Sequence, residues 1–350
     1  MNFELELLQQ SNLLEKALNM TTQVLICDDS SFARKQMARA LPDNWDIDLH
    51  YAENGIEALD QIRQGHGEIL FLDLNMPVMD GYQTLEGIRN EDLQTMPIVV
   101  SGDIQPEAMD RVKKLGALEF IKKPVDGHQI AQILNNYGIS FDDKAEKTVV
   151  DDGSGLDLDD SYTELANVAM GRAADLLARL LNAFVVMPIP NVKHLGIKEL
   201  EMALDHVKAD DSISAVCQGF IGSGVAGEAL LIFNESSYSD IAELMKFEGE
   251  IDESAQLELL MDISSVLCNA CLKGIADQLD INFSMGHPMV IGQHIHFDDI
   301  LTGAASNWKE LLTIEMGYKI ENKNINCDLL LLITEDSFAA LNERVSYLLE

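Results

Sequence analysis

Residues 23–29, QVLICDD, carry a mostly apolar run straight into two aspartates. That form returns along the first part of the chain. ILFL (69–72) ends in Asp73, PIVV (97–100) in Ser101 and LEFIK (118–122) in Lys123-Pro124, with a further run at 47–51. Amphipathic helix patterns separate the runs. Short apolar runs bounded in this way read as buried strands of a parallel sheet. Five βα repeats predict an α/β unit with a flavodoxin-like, doubly wound, five-stranded parallel sheet.

In such a sheet, ligands bind beyond the carboxyl ends of the strands. Asp28, Asp29, Asp73, Ser101 and Lys123 would share that rim. Three close carboxylates repel one another unless a cation neutralises them, and hard oxygen donors suit Mg2+. A carboxylate beside a divalent cation and an ammonium is equipped to attack a phosphoryl group. VLICDDSSFARK (24–35), FLDLNMPVMDGYQTLEGIR (71–89), PIVVSGD (97–103) and GALEFIKKPV (116–125) together resemble the CheY-type receiver domain of two-component response regulators. The resemblance covers about residues 22–138. It implies that Asp73 accepts phosphate from a histidine kinase. It also implies that Asp28, Asp29, Asp73 and the backbone of Asn75 hold Mg2+, that Ser101 and Lys123 bind the phosphoryl group, and that Phe120 occupies an aromatic switch position.

Charge limits the partners. The 350-residue chain carries a formal net charge of −35, a field that repels nucleic-acid phosphates and anionic lipid headgroups, so neither nucleic acid nor membrane is expected as a partner. MNFELELLQQ lacks the basic start and apolar core of a signal peptide, and LLNAFVVMPIP (180–190) is too short to cross a bilayer. A cytoplasmic location is expected. The five scattered cysteines read as reduced thiols, and Cys268 and Cys271, inside a helix pattern, read as core rather than as a metal or redox pair. His294 and His296, near Asp298 and Asp299, read as exposed polar residues.

Residues 1–20 show helical apolar spacing at Phe3, Leu7, Leu14 and Leu18, which predicts an N-terminal helical extension before a 21–138 domain. Residues 139–158 form an acidic linker by composition. A second domain, 159–350, reads as α+β: helices at 161–185 and 254–279, a strand pair at 213–233 turning at SGVAGE, strands at 309–318 and 325–333, and a closing helix at 335–349.

DSYTELAN (160–167) opens the first of those helices. Ser161 and Glu164 have the spacing of a capping box. Glu164, Asn167, Gly171, Asp175 and Asn182 also form a polar stripe, expected to be exposed, while Leu165, Leu176, Leu177, Leu180 and Phe184 mark the buried side. Asp160-x3-Glu164-x2-Asn167-x22-Pro190 recurs 98 residues later as Glu258-x3-Asp262-x2-Ser265-x22-Pro288, the mark of a duplicated unit with two pseudo-symmetric long helices. The first copy resembles the signature of the CheC/CheX/FliY phosphatases. By that resemblance Glu164 pairs with a receiver's lysine and Asn167 orients the water that attacks aspartyl phosphate. Asp262 and Ser265 depart from the pattern and are expected to be inactive or weakly active.

The combined reading is a two-component response regulator phosphorylated on Asp73, fused to a CheC-like aspartyl-phosphate phosphatase. Its substrate would be a phosphorylated receiver, its own or another's, and the family's usual setting is chemotaxis. The alternative is a non-enzymatic docking module switched by receiver phosphorylation. Oligomeric state stays open, a dimer included.

Overall fold

The computed structural model describes residues 21–139, 157–196, 199, 213–295 and 310–348. The extension 1–20, most of the acidic linker, and His296, Asp298 and Asp299 lie outside the described residues, and of His294 only the backbone is described.

The first unit runs β1 (Thr22–Cys27), α1 (Ser31–Ala40), β2 (Ile47–Ala52), α2 (Gly55–Arg63), β3 (Ile69–Leu72), α3 (Gly81–Asn90), β4 (Met96–Ser101), α4 (Pro106–Leu115), β5 (Glu119–Lys122) and α5 (Gly127–Asn136). Its strands lie in the order β2-β1-β3-β4-β5, all parallel, as the apolar runs predict. All four residues of β3 are buried, because the helices cover both faces of the sheet. The order reverses at β1 and β3, so Asp28 and Asp73, at the ends of those two strands, flank the crevice where such sheets bind ligands.

The second unit is built twice. The first pass gives α6 (Leu158–Leu181), β6 (Val185–Val186), β7 (Asn191–Gly196), β8 (Ile213–Gly222), β9 (Val225–Asn234) and α7 (Tyr238–Leu244). The second gives α8 (Glu253–Gln278), β10 (Ser284–Met285), β11 (Met289–Ile295), β12 (Glu310–Ile320), β13 (Asn326–Thr334) and α9 (Phe338–Tyr347). The two hairpins meet at β9 and β13 in the middle of one antiparallel sheet. Each pass lends its short strands to the other: β6 and β7 pair with β12, and β10 and β11 pair with β8. Neither pass closes its own sheet, so the duplication folds as one body.

α6 and α8 pack along a seam of small residues. A Cβ on Gly274 would lie 2.9 Å from the Cα of Ala169, too close for any other residue type. α8 is long and apolar enough to cross a membrane by length and composition, and 67% of its most apolar window is buried inside the protein. The cysteines are free and buried; Cys271 meets the Tyr318 hydroxyl at 2.9 Å in the core.

Three sequence expectations change here. α6 begins earlier than expected and ends at Leu181, four residues ahead of the 185 boundary, where its C-cap Asn182 takes the left-handed conformation (φ 49°). The capping box does not form: Asp157 is the N-cap, and the Ser161 hydroxyl donates to the Asp157 carbonyl. The polar stripe is buried and part of the apolar side is not. Glu164, Asn167, Gly171 and Asp175 are covered, whereas Leu176 is 48% exposed. The reason is that α6 lies between two bodies, with the second unit's core on one side and the first unit on the other.

Two backbones meet there. A Cβ on Gly171 would sit 1.9 Å from the carbonyl oxygen of Gly102, in the loop after β4. Phe32 of α1 is part of the second unit's core, together with Tyr162, Leu165 and Ala166. Gly171→Ala should raise local helix propensity by about 1 kcal/mol and yet drive the two units apart. Small-angle scattering should then show a larger radius of gyration with unchanged far-UV circular dichroism. An unchanged radius would refute the close approach.

Candidate functional site

The rim gathers around one ammonium. Lys123 Nζ lies 2.7 Å from Asp28 Oδ2, 2.9 Å from Asp73 Oδ1 and 3.0 Å from Glu164 Oε1. Each of its three N–H groups therefore has a carboxylate to face. Asp28 and Asp73 come from the ends of neighbouring parallel strands, and the Asp73 N–H donates to the Cys27 carbonyl, which fixes the spacing. Asp28 Oδ1 accepts from the Ser30 N–H at 2.9 Å, and Asp73 Oδ2 from the Asn75 N–H at 2.7 Å. Asp73 Oδ1 has no aligned hydrogen bond and depends on Lys123 by charge alone.

α6 supplies the rest. Glu164 points at Lys123, and one turn on, Asn167 Oδ1 lies 3.5 Å from Asn75 Nδ2. One turn before, Asp160 Oδ2 accepts from the Ser31 hydroxyl at 2.6 Å and the Phe32 N–H at 3.0 Å, an added acidic group at the first turn of α1. The cavity lined by Asp28, Asp73, Lys123 and Glu164 is about 10 Å³, space for no more than one water.

The electrostatics follow from four carboxylates against one lysine. Burial, with Asp73 and Glu164 adding to it against the pull of Lys123, pushes Asp28 up to about 8. Burial, then Asp28 and Asp73, raise Asp29 to about 7. Glu164 is also raised, by burial first and only partly offset by Lys123. Burial would lower Lys123, but Asp28, Asp73 and Glu164 outweigh it and hold the ammonium charged. The rim is short of positive charge, and its donors are hard oxygens. Asp28, Asp29 and Asp73 are thus donors of the kind Mg2+ takes, although among the described residues no three such side chains stand in a ready-made ligand set.

The other expected residues take no part in the ion pairs around Lys123, although the Ser101 carbonyl accepts from the Lys123 N–H at 3.0 Å. Ser101 is fully buried at the end of β4, its hydroxyl accepting from the Asp103 N–H at 3.1 Å. Phe120 is buried in the core between the sheet and its helices. Asp262 and Ser265 lie on the exposed face of α8. Ninety-eight residues after Gly171 stands Asn269, which donates to the Ser265 hydroxyl at 3.2 Å. A side chain there denies α8 the backbone approach that Gly171 permits.

Several contacts across the seam escaped the sequence reading. The Gln105 carboxamide pairs with the backbone of Val185, and Arg111 makes two hydrogen bonds to Glu321 while lying 4.1 Å above the Phe184 ring. Only Asp160 had a signal, as the first position of the repeated motif.

The crevice position and the acidic rim are those of signalling receivers, and the comparisons agree. Residues 24–135 match the response regulator receiver domain family. The chemotaxis protein CheY of Halobacterium salinarum is 32% identical over 105 residues, which are 30% of this chain and 87% of that protein. This part of the chain belongs to the response regulator receiver family. A protein-glutamate methylesterase/protein-glutamine glutaminase of Syntrophomonas wolfei is 33% identical over 106 residues, 29% of this chain, and the match spans only 30% of that relative's length. Among solved structures, Thermotoga maritima FliY aligns over 54% of this chain and 96% of its own, at 19% identity and a TM-score of 0.43.

Mg2+ at ten times its dissociation constant should stabilise the protein by about 1.4 kcal/mol, read as a rise in thermal midpoint that EDTA reverses. Asp29→Asn should remove most of that rise. A wild-type midpoint indifferent to Mg2+ would contradict the assignment.

Proposed function

We propose that the protein is a response regulator that carries its own eraser. Asp73 accepts a phosphoryl group from a histidine kinase in the cytoplasm, and Glu164 and Asn167 of α6 promote hydrolysis of the resulting aspartyl phosphate. The observation that carries this reading is the ion pair between Glu164 and Lys123 at 3.0 Å, made by a helix laid over the rim of its own receiver.

In the reaction, a water oxygen forms a bond to phosphorus as the bond from phosphorus to the Asp73 oxygen breaks. The electron pair returns to the Asp73 carboxylate, and the water's protons leave with phosphate and solvent. Lys123, Ser101 and the N–H groups of the rim would bear the phosphoryl oxygens. Mg2+, held by Asp28, Asp29, Asp73 and the Asn75 carbonyl, would offset their charge. Asn167 offers both a donor and an acceptor, enough to hold a water on the far side of phosphorus from Asp73. Glu164 keeps Lys123 and α6 in register. Positioning of this kind is most of what phosphoryl transfer requires.

A second reading is supported by the small cavity and by Asp73, which is 2% exposed. In that reading α6 is a clasp without chemistry that docks when Asp73 is bare and releases when it is phosphorylated, freeing the second unit for a partner. The relationship to chemotaxis proteins favours a motility pathway for either version.

Asn167→Ala separates them. The lifetime of phospho-Asp73 in the full chain should lengthen by about 10²-fold, the usual worth of one positioned polar group. The wild-type rate should not change on dilution. Equal lifetimes would leave the clasp as the function.

A further inference from the structure

Gln105 is the N-cap residue of α4, yet its side chain makes no cap hydrogen bond. Such positions favour short side chains that close back on their own helix. Here a longer carboxamide reaches the other unit instead. Its Nε2 donates to the Val185 carbonyl at 2.8 Å, and its Oε1 accepts from the Val185 N–H at 2.9 Å. Val185 belongs to β6, the terminal strand beside β12. The carboxamide completes that edge as an added peptide would.

The pairing is placed to discriminate. Gln105 is 1% exposed, Val185 is 0% exposed, and Nε2 is also held at 3.0 Å by the buried Asp103 carboxylate. A buried pair left half-made costs the full desolvation of its groups. The Arg111–Glu321 contact is about one-third exposed on each side and therefore weaker as a selector. Lys123 selects little, because it belongs to the phosphoryl chemistry itself. Gln105 stands four residues beyond Ser101, so the same loop carries the phosphoryl-binding hydroxyl and the docking key.

We propose that Gln105 is the specificity-determining residue of this hydrolysis: by reading the main chain of Val185 it makes phospho-Asp73 of its own chain the substrate, in preference to receivers that present another side chain at that point. The proposal rests on the phosphatase reading above. Gln105 is a positioning residue on the substrate side and touches no reacting atom.

The test uses full-length chains, phosphorylated with acetyl phosphate and Mg2+ and then freed of donor. In the otherwise wild-type chain, Gln105→Glu replaces the donor with a second acceptor and should lengthen the phospho-Asp73 lifetime at least about tenfold. A two-chain assay separates recognition from damage. The substrate chain carries Asn167→Ala and Gly171→Ala, so that its own second unit neither acts nor docks; the phosphatase chain carries Asp73→Ala. Gln105→Glu in the substrate chain should slow clearance by a similar factor. In the phosphatase chain it should speed clearance, because that chain's own receiver leaves α6. Slowing on both sides, or no change on either, would overturn the proposal. Equal lifetimes for wild type and Asn167→Ala would instead overturn the phosphatase reading, a distinct result.

Discussion

One ammonium joins the two halves of this protein. Lys123 is buried among Asp28 and Asp73 from the receiver and Glu164 from the helix that covers it. Removing one partner of a buried pair commonly costs about 3–5 kcal/mol, so Lys123 holds the rim closed as long as the carboxylates are bare. The closure is also strained by charge, because Glu164 adds an acid to a site already short of cations. A phosphoryl group on Asp73 brings more negative charge and three further acceptors, all competing with Glu164 for the same lysine. The contact that docks the helix is therefore the one most responsive to the state of Asp73.

The docked state also rests on features away from the charges. Phe32 is buried in the second unit's core, and Gly102 and Gly171 let two backbones touch. These apolar and steric contacts hold α6 against the receiver alongside the ion pair. They also show how the two helices of a nearly symmetric unit differ. α8 repeats the length and packing of α6, but it carries Asp262 and Ser265 where α6 carries Glu164 and Asn167, and Asn269 in place of the glycine. The duplication is kept in the sheet, where each pass completes the other, and lost on the helix face.

The first unit was legible because its signals are local. Apolar runs ending in Asp28, Asp73, Ser101 and Lys123 fix both the parallel sheet and the rim, since strand ends are where such a sheet places its ligands. The second unit was legible in its longer elements only. β7, with the sequence NVKHLG, alternates too weakly to read as a strand, and β6 and β10 are two residues each, formed by partners from the other pass. The α6 stripe was misread for a related reason. Helical periodicity reports which residues are apolar, not which body will cover the polar ones, so Glu164 and Asn167 read as exposed while Leu176 and Leu180 read as core. Gln105 could not be found at all, since its partner is a main-chain group far away in sequence.

α6 lies on the receiver of its own chain in a single arrangement. Spin labels at the exposed positions Lys114 and Leu176, on doubly labelled chains diluted into unlabelled ones, report that arrangement as a distance distribution. The unphosphorylated protein should give one narrow peak. A broad distribution, with the two units sampling many separations, would contradict it.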